Sequence, residues 1–167
     1  MESSVRINED NILLLSTFLL NANEKICTAE SITGGMIASA FTDVPGSSEW
    51  FLSGVVSYSD EVKHKVLGVK EKTLEKYTAV SKECALEMVR GVLSLLDADV
   101  ALATTGYAGP SGENVGKVFI AVMRKNGSVD VKEMNYSKSL SRSSIRNAVV
   151  NDAVLFALRS VFDLENV

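Results

Sequence analysis

Histidine and cysteine are scarce in this chain of 167 residues, and their scarcity excludes two kinds of catalytic centre. The single histidine, His64, cannot anchor a His-rich metal site, and it lies in a lysine-rich stretch that does not suit a Ser-His-Asp triad. The two cysteines, Cys27 and Cys84, lie far apart and show no metal-ligand spacing, which fits a reducing compartment. We therefore expect no metal and no histidine-activated nucleophile.

Long apolar runs and clusters of basic residues are also absent from the sequence. No apolar run approaches the length that spans a bilayer, and the first ten residues lack the basic and apolar segments of a signal peptide. The formal net charge is −4 and no run of lysine or arginine occurs, which argues against a nucleic-acid partner. We expect a cytoplasmic protein with neither a membrane nor a nucleic-acid partner.

The rest of the composition is that of an ordinary globular protein, and the length suits one domain over residues 1–167. Apolar periodicity and turn signals predict helices at 11–21, 33–41, 60–66, 70–76, 81–96 and 141–161, and strands at 25–29, 54–58, 99–103, 117–123 and 129–135. Strands separated by helices favour parallel pairing, and the Asn126-Gly127 hairpin signal adds an antiparallel pair. The sequence therefore predicts an α/β fold, a three-layer α/β/α sandwich with a mixed, partly parallel sheet.

A serine follows directly after the first predicted strand, in the stretch T-A-E-S-I-T-G-G at residues 28–35. Where a strand turns into a helix, unpaired backbone N–H groups and the helix dipole favour an anion or a developing oxyanion. Taken alone, Ser31 is more often a helix cap, and its functional alternatives are a nucleophile or a phosphate ligand. Gly34 and Gly35 allow either close approach of a substrate to the backbone or tight packing of the helix on the sheet.

Lys63 offers this serine its best candidate base. It ends the segment Y-S-D-E-V-K at residues 58–63, which follows the second predicted strand. A lysine in a stretch with several lysines usually lies on a solvated helix face, but this one can point back towards a pocket at the strand end. A lysine whose pKa is lowered by burial can activate a serine, so Ser-Lys is the best nucleophile–base pairing in the chain.

Two further segments carry candidate ligand contacts. A glycine-rich loop at 104–112 follows the third predicted strand, but it lacks the Gly-Lys-Ser/Thr and GxGxxG patterns of ATP and dinucleotide sites. Arg142 and Arg146 share a helix face, where they form either a phosphate clamp or solvated surface charge. Because ligand sites of open α/β sheets gather at strand carboxyl ends, we expect the polar segments to line one pocket.

Several motifs in this order resemble the C-terminal domain of the CinA competence/damage-inducible family in its stand-alone form. The resemblance spans nearly the whole chain, from the first helix to the last. The motifs that carry it are A-E-S-I-T-G-G at 29–35, T-D-V-P-G-S-S at 42–48, Y-S-D-E-V-K at 58–63, A-V-S at 79–81 and T-G-Y-A-G-P at 105–110.

The resemblance implies a nicotinamide-nucleotide amidase, which converts nicotinamide mononucleotide into nicotinic acid mononucleotide and ammonia without a cofactor. The family pattern makes Ser31 the nucleophile and Lys63 its base, with Tyr58 beside them. Backbone N–H groups near 33–35 or at Gly106 are expected to stabilise the oxyanion. The substrate contacts expected are Thr33, Gly34, Gly35, Thr105 and Gly106, with Arg142 and Arg146 at the phosphate.

The chain departs from the family pattern at positions near these motifs. The family usually has cysteine, asparagine and isoleucine where this chain has Ile32, Asp60 and Tyr107. The loop at 111–116 is shorter than in the family and lacks its lysine and proline, and Leu-Ser replaces the usual Gly-Asp at 140–141. The departures keep two alternatives open: a non-catalytic nucleotide-binding or protein-interaction module, and an amidase for another small substrate. A symmetric homodimer is the default assembly.

Overall fold

Residues 4–164, the part of the chain that this computed structural model describes, form five strands, six α-helices and a short 3-10 helix at Ser47–Glu49. The strands are β1 (Ile26–Glu30), β2 (Phe51–Val56), β3 (Val100–Gly106), β4 (Lys117–Arg124) and β5 (Val129–Asn135). The helices are α1 (Glu9–Ala22), α2 (Met36–Thr42), α3 (Asp60–Leu67), α4 (Glu71–Tyr77), α5 (Lys82–Leu96) and α6 (Arg142–Phe162). None of these six helices is long and apolar enough to cross a membrane.

The five strands form one sheet in the order β2-β1-β3-β4-β5. β1 pairs in parallel with β2 and β3, whereas β4 pairs antiparallel with β3 and β5. The central strands β1 and β3 are buried almost throughout, as their continuous apolar runs predict. β2 alternates half-buried and exposed positions, as an edge strand does. The predicted mixed, partly parallel sheet is confirmed.

Helices cover both faces of the sheet and produce three layers. On one face, α1, α2 and α6 build a large apolar cluster that includes Leu15, Phe41 and Leu158. On the other face, α5 packs Met88 and Val92 against the sheet, with α3 and α4 beside it. The sheet residues in this second cluster are mostly small, namely Cys27, Ala29, Ala101, Ala103 and Ala121. The predicted α/β/α sandwich is confirmed.

The position of β2 differs from the predicted strand at 54–58. It begins three residues earlier because its pairing with β1 starts at the Ile26–Phe51 pair. The chain then leaves the sheet at Ser57, the first residue after β2. Tyr58 therefore lies in the connection between β2 and α3 and not in the strand.

A helical glycine brings α5 close to the end of α3. A Cβ added at Gly91 would lie 1.9 Å from the carbonyl oxygen of Leu67, the last residue of α3. Glycine is therefore required for this contact, which fixes the end of the helix that carries Lys63.

We expect Gly91→Ala to destabilise the protein, although alanine favours a helix over glycine by up to about 1 kcal/mol. The added methyl group must displace the Leu67 carbonyl, and overpacking of this kind costs about 1–3 kcal/mol. The midpoint of urea unfolding should fall for this variant. Ser94→Ala, at an exposed position of the same helix, should leave the midpoint unchanged or raise it. An unchanged midpoint for Gly91→Ala would show that α3 and α5 separate freely.

Candidate active site

Three strand ends meet at one edge of the sheet, and the predicted site segments follow them there. Ser31 comes directly after β1, Ser57 directly after β2, and Thr105 and Gly106 are the last two residues of β3. Backbone pairing holds these ends together, because the Ser31 N–H donates to the Thr104 carbonyl at 3.0 Å. In open α/β sheets this edge is where ligands bind.

A short contact joins Lys63 to Ser31 at this edge. The Lys63 Nζ lies 3.1 Å from the Ser31 Oγ, 2.8 Å from the Ser57 carbonyl oxygen and 3.0 Å from that of Tyr58. Lys63 is 1% exposed and Ser31 is 8% exposed, so the contact is shielded from bulk water. Lys63 lies in the first turn of α3, which Ser59 caps, and its side chain therefore reaches back to the end of β2.

Burial favours the neutral form of Lys63. It lowers the pKa of the Lys63 ammonium below the ordinary value of 10.5, and Cys84 and Asp60 offset part of this effect. Burial raises the pKa of the Cys84 thiol to about 12, so its charge acts on Lys63 only at high pH. The Lys63 Nζ donates to the Ser31 hydroxyl oxygen and to the two carbonyl oxygens, and these three contacts hold the nitrogen next to the serine.

Glu30, the last residue of β1, supplies the N-terminal contacts of α2. It is fully buried, and its carboxylate accepts the backbone N–H groups of Gly35 and Ile37 at 3.0 Å and of Ala38 at 2.9 Å. The Thr28 hydroxyl donates to the same carboxylate at 3.2 Å. The positive end of α2 is therefore neutralised by the protein's own carboxylate and is not open to an anion.

Ser31 consequently does not cap a helix. α2 begins at Met36 and not at 33 as predicted, and its N-cap is Gly35. The Gly34 N–H donates to the Ser31 carbonyl at 3.2 Å, so the N–H groups of both glycines are engaged within the protein. Both glycines have positive φ angles, 58° and 92°, which other residues adopt only with strain. The left-handed backbone of the turn accounts for them without any ligand.

A cavity of about 400 Å³ opens beside the Ser31–Lys63 pair. Besides this pair, the expected site residues that line it are Tyr58, Thr105, Gly106 and Arg142. The remaining walls are formed by Ile32, Ala79, Val80, residues 107–109 and Ser111. The expected site residues that do not line it are Thr33, Gly34, Gly35 and Arg146.

Tyr58, Thr105 and Gly106 contribute to the cavity in different ways. Tyr58 lines the cavity and is 66% exposed, and its carbonyl accepts from the lysine. The Thr105 hydroxyl donates to the Ala79 carbonyl at 2.7 Å and ties β3 to the segment before α5. A Cβ added at Gly106 would lie 2.6 Å from Val118 Cγ2, so packing against β4 accounts for this glycine.

The two arginines of α6 have different surroundings, although they share a helix face. Arg142 lines the cavity, and its Nη1 donates to the Gly109 carbonyl. Arg146 lies behind the Ser31 turn, where its Nε donates to the Ile32 carbonyl at 3.0 Å and its Nη2 to the Thr33 carbonyl at 2.9 Å. Only Arg142 is placed to meet a group bound in the cavity.

Three residues that the sequence analysis does not assign contribute to the site: Glu30, Ser57 and Ala79. The glutamate carries a signal, since a carboxylate in an otherwise apolar strand requires several hydrogen-bond donors. The other two act through their carbonyl groups, which every residue type carries, so no sequence pattern identifies them.

The sequence model of the CinA C-terminal domain matches residues 10–161, which is most of the chain. This chain belongs to the CinA C-terminal domain family. Two curated relatives from Clostridium botulinum are 43% and 42% identical to it over 89% and 96% of its length. The chain spans only 36% and 42% of the length of these relatives.

Solved structures with the same fold include other CinA-family proteins. The competence/damage inducible protein CihA from Agrobacterium tumefaciens has a TM-score of 0.89 and 37% identity, over 92% of this chain and 94% of that one. The competence damage-inducible protein A (ComA) from Klebsiella pneumoniae has a TM-score of 0.90 and 30% identity, over 96% and 100%. The chain thus corresponds to nearly the whole of both solved chains.

The lowered pKa of Lys63 predicts that Ser31 of this CinA domain becomes more reactive as the pH rises. A lysine can act as a base only as the neutral amine, and the neutral fraction grows as the pH rises through a pKa below 10.5. Labelling of Ser31 by phenylmethylsulfonyl fluoride, followed by mass spectrometry and corrected for reagent hydrolysis, should therefore increase with pH and level off below 10.5.

Two lysine variants of α3 provide the control for this pH profile. Lys63→Met removes the base and should abolish the pH-dependent labelling. Lys65→Met removes an exposed lysine two residues along the same helix and should leave the profile as in the wild type. A wild-type midpoint at or above 10.5 would contradict the lowered pKa.

Proposed function

We propose that this chain is an amidase that converts nicotinamide mononucleotide into nicotinic acid mononucleotide and ammonia. The observation that carries the proposal is the 3.1 Å contact between the Lys63 Nζ and the Ser31 Oγ, next to a cavity at the strand ends. Membership of the CinA family supports the substrate class that the motifs imply.

The first half of the reaction forms an ester on Ser31. The Ser31 Oγ attacks the carboxamide carbon, and its proton passes to the neutral Lys63 Nζ. When the tetrahedral intermediate collapses, the C–N bond breaks and Lys63 returns the proton to the departing nitrogen, which leaves as ammonia. Ser31 then carries the pyridine carboxylate as an ester.

The second half releases the acid. Lys63, neutral again, takes a proton from a water molecule whose oxygen attacks the ester carbon. The bond between the carbonyl carbon and the Ser31 Oγ breaks, and Lys63 returns the proton to that oxygen. The carbonyls of Ser57 and Tyr58 hold the amine in place through both halves, because they accept its N–H groups in either protonation state.

The walls of the cavity fit a pyridine mononucleotide. A volume of about 400 Å³ lies within the usual range for small-molecule sites. Tyr58 and Tyr107 offer aromatic rings beside the pyridine, and the Arg142 guanidinium matches a phosphate group. Of the two expected sources of oxyanion donors, Gly106 lines the cavity and residues 33–35 do not, so we assign this role to Gly106. One such donor typically contributes about 10²–10³ in rate.

A second candidate function is a nucleotide-binding module without catalysis. The observation that favours it is the location of the departures from the family pattern, because Ile32, Tyr107 and Ser111 all lie on the cavity wall. An amidase for another small substrate fits the same observation, since altered walls change which amide reaches Ser31.

We expect purified protein to release ammonia from nicotinamide mononucleotide, and Ser31→Ala and Lys63→Met each to lower the rate by about 10²–10⁴-fold. Each variant removes one partner of the 3.1 Å contact. Ser94→Ala and Lys65→Met remove exposed residues of the same types and should retain the wild-type rate. Retained turnover in the Ser31 or Lys63 variant would refute the Ser-Lys mechanism.

The same assay separates the three functions. Nicotinamide, nicotinamide mononucleotide and NAD are supplied in parallel, and ammonia and thermal unfolding are both measured. Thermal stabilisation by the mononucleotide without ammonia indicates the binding module. Ammonia from nicotinamide or NAD but not from the mononucleotide indicates the alternative substrate. If none of the three compounds releases ammonia or stabilises the protein, all three are ruled out as substrates and ligands.

A further inference from the structure

The turn that carries Ser31 is held by two charged side chains, Glu30 and Arg146. Residues 31–35 connect β1 to α2, so the position of the serine depends on what holds this turn. Glu30 binds the N–H groups on its α2 side, as described above, with both carboxylate oxygens engaged. Arg146 binds its carbonyl groups from α6.

The Arg146 side chain connects two distant parts of the chain. Its Nε and Nη2 donate to the carbonyl oxygens of Ile32 and Thr33 at 3.0 and 2.9 Å, 114 and 113 residues earlier in sequence. Arginine suits this contact because its planar guanidinium presents two parallel N–H groups. These are the two carbonyl groups that immediately follow Ser31.

The absence of a side chain at Gly34 leaves room for the Arg146 guanidinium next to the turn. A Cβ added there would lie 3.2 Å from the Arg146 Nη2, tighter than an ordinary contact, and the φ angle of +58° already favours glycine. A side chain at position 34 would therefore strain the turn and push the guanidinium away from the two carbonyls.

We propose that Arg146 and Glu30 are positioning residues for Ser31, and that Arg146 is not a ligand for the substrate phosphate. Arg146 does not line the cavity, and its Nε and Nη2 donate to the protein's own carbonyls. Arg142 lines the cavity and is therefore the arginine of α6 that we expect to bind a phosphate. The activity measurements below rest on the proposed function, whereas the labelling measurement does not.

The positioning role predicts a specific kinetic pattern. Lys63 is placed by α3 and β2, whereas Ser31 is placed by the turn that α6 holds, so loss of Arg146 moves one partner relative to the other. A misplacement of about 1 Å can lower the rate of a chemical step by about 10²-fold. Substrate contacts in the cavity stay intact. The value of kcat should therefore fall while KM stays near the wild-type value.

Two substrates distinguish positioning from phosphate binding. Nicotinamide mononucleotide and its riboside differ only by the phosphate group. Arg146→Met should lower kcat by about 10²-fold for both substrates. Arg142→Met should raise KM for the mononucleotide and leave KM for the riboside nearly unchanged. Arg146→Lys should recover part of the lost kcat, because an ammonium can serve one of the two carbonyls.

Labelling of Ser31 by phenylmethylsulfonyl fluoride tests the same inference without a substrate. The labelling rate should fall in Arg146→Met and in Glu30→Gln, whose amide nitrogen cannot accept the α2 N–H groups. Arg90→Met, which removes an exposed arginine of α5, should label like the wild type. Thermal unfolding identifies any variant that fails to fold, and Gly34→Ala then displaces the guanidinium while the arginine is retained.

The outcomes are distinguishable. A raised KM for the mononucleotide alone, with wild-type labelling, would show that Arg146 binds phosphate and would overturn the inference. Wild-type kcat and labelling in folded Arg146→Met would overturn it as well. Slower labelling in this variant, with no ammonia from any substrate, would support the inference and refute the proposed amidase. Absence of labelling in the wild type would overturn both, since Ser31 would then not be a nucleophile.

Discussion

The burial of one lysine amine is the constraint on which the rest of the site depends. An ammonium withdrawn from water loses its hydration, and the three oxygens around the Lys63 Nζ replace only part of it. Burial therefore lowers the pKa of the Lys63 amine and favours its neutral form. The same burial removes bulk water that would otherwise compete for the serine proton. Two carbonyls and one hydroxyl thus take the place of solvent around the amine.

The architecture provides those oxygens from separate elements. β1 and β2 are parallel neighbours, so their carboxyl ends bring Ser31 and the Ser57 carbonyl together. α3 starts immediately afterwards and returns Lys63 to the same point. Close packing of α3 on α5 at Gly91 fixes the helix from outside the site. The N-terminus of α2, the helix that follows Ser31, is not available to a ligand, because its N–H groups donate to the Glu30 carboxylate.

Much of this arrangement was accessible from sequence. Apolar runs, turn residues and their spacing predicted every helix and strand between residues 4 and 164, together with the three polar segments that meet at the strand ends. The errors lie where a distant residue decides a local structure. The observed start of α2 differs from the predicted one because Glu30 accepts the first N–H groups of the helix. The observed bounds of β2 differ from the predicted ones because pairing with β1 sets the register of the strand. The sequence could not distinguish the roles of Arg142 and Arg146. Their spacing shows that they share a helix face, but it does not show which groups of the protein surround each side chain.

The sequence by itself determined the fold class and the family, because these depend on local periodicity and on short motifs in a fixed order, and it pointed to Ser31 and Lys63 as the candidate pair. Only the tertiary structure decided that Lys63 is buried, that the helix N-terminus is filled by Glu30, and that Arg146 faces the Ser31 turn while Arg142 faces the cavity. The physical reason is the same for each. A charge, a hydrogen bond and a pKa depend on the groups within a few ångströms, and here those groups come from residues far apart in the chain.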